Sequence, residues 1–94
     1  MLSEFRIFET HRYQDDLKGI LGTQEDKIVH KLIHYVYPQL SAQPYFGKNI
    51  KKLRSYKPET WRYRISRFRF FYEIDDQKKI VFMIAADLRA KSYK

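Results

Sequence analysis

The stretch Trp61-Arg-Tyr-Arg-Ile65-Ser-Arg-Phe68-Arg-Phe-Phe-Tyr-Glu-Ile74 decides the fold. Trp61, Tyr63 and Ile65 alternate with Arg62 and Arg64, and Phe68, Phe70, Tyr72 and Ile74 alternate with Arg69, Phe71 and Glu73. A period of two is the signature of a half-buried β-strand, because successive side chains point to opposite faces. Ser66-Arg67 joins the two runs as a hairpin, although neither residue is the Asn or Gly that a two-residue turn prefers. In that register Ile65 opposes Phe68 and Arg64 opposes Arg69, so Arg62, Arg64, Arg69 and Phe71 share one face and the other aromatics share the second. A third strand follows, with Ile80, Phe82 and Ile84 alternating with Val81, Met83 and Ala85, after a turn at Asp75-Asp76-Gln77. Trp61, Phe70, Tyr72, Phe82 and Ile84 are expected to face the core.

Upstream the period changes. Phe5 to Phe8 is a short apolar run fit for a strand. From His11 to Leu21, Tyr13, Leu17, Ile20 and Leu21 fall on one helical face, with Thr10 as N-cap. After Gly22, Thr23-Gln-Glu-Asp26 reads as a capping box opening a second helix, whose apolar positions Ile28, Leu32, Ile33, Tyr35 and Val36 run until Pro38 blocks continuation. Ser41 to Tyr56 reads as a surface connection, and Lys57-Pro58-Glu59 as a turn. The expected architecture is a single α+β domain over residues 1–94: an N-terminal strand, two antiparallel helices, then an antiparallel three-stranded meander completing a small twisted sheet.

Composition agrees with one small domain. The 94 residues are 44% hydrophobic and 17% aromatic, which supplies unusual apolar area for so short a chain and excludes a disordered tail. With no cysteine there is neither a disulfide framework nor a thiolate metal site. No apolar run approaches the ~20 residues of a membrane span, and the charged N-terminus does not resemble a signal peptide, so a cytoplasmic protein is expected. The net charge of +8 is unevenly placed: residues 1–44 hold five basic and six acidic side chains, residues 45–94 fourteen basic and five acidic. Concentrated positive potential on one half points to a polyanion, nucleic acid first. Arginine forks suit phosphate, and Phe71 offers a base a stacking surface.

The same residues resemble a family. Trp61-Arg-Tyr-Arg-Ile65, Arg67-Phe-Arg-Phe-Phe-Tyr-Glu-Ile-Asp-Asp76 and the closing Asp87-Leu-Arg-Ala-Lys-Ser-Tyr93 are similar to the C-terminal half of the RelE/ParE toxin superfamily, whose order of elements is also the one read above. The resemblance implies a toxin of a type II toxin-antitoxin system, held silent by an acidic cognate antitoxin. RelE-type members cut mRNA in the A site of the 70S ribosome without a metal, whereas ParE-type members poison DNA gyrase. Carried over by position, the RelE-type catalytic set falls on Arg62, Arg64, Arg69, Arg89 and Tyr93, with RNA-binding support from Lys48, Lys51, Lys52, Arg54, Arg67, Phe71 and Lys91. Several relatives carry a histidine before the last arginine; here Leu88 stands in its place. Arginine stays protonated, so these groups would act by stabilising charge, with Tyr93 moving a proton or stacking on a base.

Two other constellations carry less. His30 and His34 have the i, i+4 spacing of a metal pair, but Lys27 and Lys31 share that side, and a solvated helix face explains them. Asp75 and Asp76 are explained by their turn, leaving Glu73 and Asp87 as scattered acids, and neither a metal nor another cofactor is expected. A ribosome-dependent endoribonuclease is the leading expectation. A non-enzymatic gyrase poison, an inactive relative that binds only its antitoxin, and a plain basic nucleic-acid adaptor are the alternatives.

Overall fold

The computed structural model describes residues 4–20 and 25–88. Five strands form one mixed sheet in the order β1-β5-β4-β3-β2: β1 (Arg6–Glu9), β2 (Ile50–Lys52), β3 (Trp61–Ile65), β4 (Phe68–Asp75) and β5 (Ile80–Leu88). β1 runs parallel to β5; every other neighbouring pair is antiparallel. The expected hairpin register holds, with Ile65 opposite Phe68 and Arg64 opposite Arg69. Ser66 reaches the required turn at φ 55°, in the left-handed region that non-glycine residues seldom enter.

Helix α1 (His11–Ile20) starts as its sequence predicts. The Thr10 hydroxyl oxygen accepts the Tyr13 N–H at 3.2 Å, and the same hydroxyl donates to the Met83 carbonyl at 3.0 Å, tying the cap to β5. Further along α1, Asp16 accepts the Ala86 N–H at 3.0 Å. The expected capping residues Thr23 and Gln24, like Leu21 and Gly22, lie outside the described residues.

Pro38 does not end the second helix. The chain runs from α2 (Glu25–Lys31) through a π-helical segment (Leu32–Val36) into α3 (Tyr37–Ala42), with Pro38 in the first turn of α3. A proline inside an α-helix lacks a donor and crowds the carbonyl four residues back; the wider π turn, in which the Tyr37 N–H bonds the Leu32 carbonyl, accommodates it. It also solves a geometric problem. Ile28, Leu32, Val36 and Leu40 are all buried, and a spacing of four drifts about 40° per step on a 3.6-residue helix. The π turn offsets part of that drift and helps keep the four on one side of the helix. Ile33 and Tyr35, expected in the same stripe, are instead 53% and 63% exposed.

The helices cover one face of the sheet, and a single core joins Tyr13, Leu32, Val36 and Leu40 to Tyr63, Phe68, Phe70, Tyr72, Val81 and Met83. Two expectations for the strands need correction. The Ser41–Tyr56 segment is not merely a connection: it completes α3 and supplies β2, which pairs with β3 as the sheet edge. In β5 the faces are reversed: Val81 and Met83 are fully buried, while Phe82 lies opposite Glu73 on the other face. A bulge causes the mismatch, since Phe71 pairs with Ala85 but Tyr72 pairs with Met83, leaving Ile84 as the extra residue and only half-buried. Beyond it, Ala86 returns to the core.

Candidate nucleic-acid interface

The face of the sheet turned away from the helices is built by register alone. Lys51 of β2 lies opposite Arg62 of β3, Arg62 opposite Phe71 of β4, and Phe71 opposite Ala85 of β5. In the adjacent row Arg64 lies opposite Arg69, and Arg69 opposite Asp87. Pairing like charges across a ladder is destabilising by itself, so the row needs negative charge from elsewhere. Asp87 supplies part of it, with its Oδ2 at 3.8 Å from Arg69 Nη2. The Arg69 guanidinium also lies 5.7 Å from the centre of the Phe71 ring, within the range of a cation–π contact. Arg62 and Arg69 are half-buried, whereas Arg64 is exposed and donates through Nε to the Ser66 carbonyl at 3.2 Å. Four cationic side chains and one aromatic ring thus line one continuous surface, and a phosphodiester chain laid there would meet planar donors and a stacking platform.

Towards the far end of β4 the same face changes character. Glu73 faces Phe82, and Phe82 packs edge-on against Phe8, with ring centres 5.7 Å apart. Asp76, in the turn beyond, is held below its ordinary carboxylate pKa by the Tyr45 hydroxyl at 2.9 Å and by Lys79. The arginine row therefore lies at the hairpin end of the sheet, while the far end of the same face carries Phe8, Phe82 and the exposed Arg6 of β1. The most perturbed tyrosines lie on the opposite, helix-covered side: burial raises Tyr13, Tyr37 and Tyr72 above their ordinary value.

A family model for the ParE toxin of type II toxin-antitoxin systems matches residues 7–92. The chain belongs to the ParE toxin family. The toxin shares its fold with solved structures of low sequence identity. The RelBE2 toxin–antitoxin complex of Mycobacterium tuberculosis superposes with a TM-score of 0.73 at 23% identity, covering 96% of this chain and 97% of the other. A YoeB/ParE toxin from Agrobacterium tumefaciens gives 0.72 at 19% identity over 89% and 98%. A doubly substituted form of the Escherichia coli toxin RelE, in the free state, gives 0.65 at 20% identity over 97% and 88%. No curated protein sequence matches the toxin. The RelE-like α+β architecture expected from the sequence is borne out.

The sequence-predicted site residues divide into three groups on this toxin. Arg62, Arg64, Arg69, Phe71 and Lys51 come together, as described above. Lys48, Arg54 and Arg67 are exposed, Lys48 in the loop before β2, Arg54 in the loop after it and Arg67 in the hairpin turn. Lys52 goes elsewhere: alternation along β2 turns it to the other side, where it pairs with Glu59 at 3.1 Å and lies 5.8 Å from the Trp61 ring centre. Arg89, Lys91 and Tyr93 lie outside the described residues, as does the side chain of Leu88. The position of Asp87 within the arginine row is what sequence reasoning missed. It follows from the β4–β5 register, which the bulge hides from a strict alternation. His30 and His34 stack with ring centres 4.2 Å apart on the exposed side of the second helix, and no group of three or more metal-ligating side chains occurs among the described residues. Among those residues no helix is long and apolar enough to cross a membrane.

Proposed function

We propose that this toxin is a ribosome-dependent, metal-independent endoribonuclease that cleaves mRNA in the A site and so arrests translation. The observation that supports it is the gathering of Arg62, Arg64 and Arg69 with Phe71 and Lys51 on the open face. RNA cleavage by its own 2′-hydroxyl forms the O2′–P bond and breaks the P–O5′ bond, with the hydroxyl proton lost and the leaving oxygen gaining one. The pentacoordinate phosphorane carries extra negative charge, which fixed guanidinium groups stabilise more than they do the ground state. Arginine is a poor general base, so such a site depends on a substrate already held for in-line attack. A ribosome presents a codon in that way. Arg89 and Tyr93 complete the proposed catalytic set, with Lys48, Arg54 and Arg67 as outlying phosphate contacts.

In the same reading an acidic antitoxin silences the toxin by covering the cationic face. Several solved relatives of this fold are complexes with an antitoxin, including the intact Escherichia coli RelBE complex. The encounter should be faster at low salt, since opposite net charges steer association. A second reading, a gyrase poison without nuclease activity, is favoured by the family model, which is named for ParE. Controlled expression of the parent, Arg64→Ala and Arg69→Ala separates site from scaffold. Arg64 is exposed and Arg69 is half-buried on the open face, so circular dichroism checks that both variants are folded, and both should lose growth arrest, because removing one transition-state donor typically costs about 10² to 10³ in rate. Folded variants that arrest growth like the parent would sink the nuclease reading.

A further inference from the structure

A cleft of about 560 Å³ opens beside the arginine row, between the second helix and the hairpin end of β3. Lys31 and Tyr35 line its helical wall, Arg64 and Asn49 its strand wall, and Gln39 and Tyr63 its inner end. The inner end is rigid. The Tyr63 hydroxyl donates to Gln39 Oε1 at 2.7 Å, and Gln39 Nε2 lies so close to Gly47 that a β-carbon there would approach it to 2.6 Å. The strand wall is fixed as well, by the Arg64 N–H on the Asn49 carbonyl at 3.0 Å. The outer part is different: Tyr35 presents a ring that is 63% exposed, flanked by a lysine and an arginine.

We propose that this cleft takes one nucleotide of single-stranded RNA, the neighbour of the nucleotide held on the arginine face, with its base stacked on Tyr35 and its phosphate between Lys31 and Arg64. The inference rests on the RNA-binding reading of that face and extends it round the hairpin end. Arg64 carries the argument, because it belongs both to the Arg64–Arg69 row and to the cleft lining. A chain following the cations off the sheet therefore arrives at an exposed aromatic ring, with Val36 and Ile65 among the other residues of the same cleft. Two flanking cations select an anionic ligand and the ring accepts any base, while Asn49 belongs to the same lining. Tyr35 and Lys31 thus act as positioning residues, setting which phosphate lies on the arginines.

The test is fluorescence anisotropy with the full-length toxin, using a labelled eight-nucleotide single-stranded RNA and, separately, adenosine monophosphate as competitor. Tyr35→Ala should weaken RNA binding roughly ten-fold, and Tyr35→Phe should leave it unchanged because stacking needs the ring and not the hydroxyl. Lys31→Ala should weaken binding and reduce the slope of log affinity against log salt by about 0.7, the value for one single-strand phosphate contact. The monophosphate should compete only at far higher concentration than the oligonucleotide; competition at equal concentration would replace the RNA reading with a free-nucleotide site. Arg69→Ala is the control for the arginine face. If it weakens binding while Tyr35→Ala and Lys31→Ala bind as the parent does, the cleft is not an RNA site and the face reading stands. If the reverse holds, the face reading falls and with it the proposed path from the arginine face into the cleft. Circular dichroism melts check that each variant is folded.

Discussion

Arg69 and Asp87 face one another across β4 and β5, with Nη2 and Oδ2 3.8 Å apart, so the protein carries its own carboxylate in the row where a phosphate is proposed to bind. The two side chains are 20% and 38% exposed. A pair so placed is worth little to stability, roughly 0.2–1 kcal/mol, but it competes directly with an incoming anion. Asp87→Asn should therefore tighten RNA binding by about 1.5- to 5-fold and lower the melting temperature slightly, because the arginine row loses a negative charge. Weaker binding in that variant would mean that Asp87 orients Arg69 and does not compete for it.

The two faces of the sheet make opposite demands on their side chains. Phe70 is fully buried against Tyr13, with ring centres 6.5 Å apart, whereas Phe82 is half-buried on the open face. Phe70→Ala should cost about 3–5 kcal/mol, enough to unfold much of a small domain. Phe82→Ala should cost clearly less. Denaturant titration of both variants checks the order, and equal losses would contradict the assigned faces.

Glu9, Tyr13 and Tyr37 form a hydrogen-bonded chain joining β1, α1 and α3. The Tyr37 hydroxyl donates to Glu9 Oε2 at 2.6 Å and lies 2.8 Å from the Tyr13 hydroxyl. Tyr37→Phe leaves both partners short and should cost about 1–3 kcal/mol at neutral pH. Burial raises both tyrosines well above their ordinary value of 10.0. A raised folded-state pKa gives stability that is complete below pH 10 and lost as pH rises through the folded value. Stability should accordingly fall above pH 10, with each such tyrosine contributing about 1.4 kcal/mol per pH unit once its unfolded form is ionised. Tyr37→Phe should make that decline shallower by one such contribution, as read from urea midpoints measured between pH 9 and 11.5. An unchanged decline would show that Tyr37 does not titrate differently on unfolding.

The parts of this fold that were legible are those where one period dominates. Alternation of arginine and aromatic residues fixed β3 and β4, their register and the membership of the arginine row, and the Thr10 cap was readable from residue type. β5 was misread because Ile80 to Ala85 is apolar at every position, so alternation cannot choose a face, and the bulge at Ile84 changes parity part-way. β2 escaped because three residues, two of them lysines, give no periodic signal and gain their strand conformation only by pairing with β3. The helix through Pro38 did leave a trace. Apolar residues at a strict spacing of four, Ile28, Leu32, Val36 and Leu40, are what a π turn helps keep on one side of the helix, and that same spacing explains why Tyr35 is left exposed for the cleft. Asp87 and the cleft depend on tertiary register and were not accessible to local pattern.

The central claim, that the arginine face acts on RNA, is tested most directly by mapping 5′ ends on ribosome-bound mRNA shortly after induction of the parent toxin and of folded Arg69→Ala. The account predicts new ends clustered at A-site codons with the parent, reduced about 10²-fold or more with Arg69→Ala. Growth arrest by the parent without new mRNA ends, accompanied by trapped gyrase–DNA cleavage complexes, would contradict it.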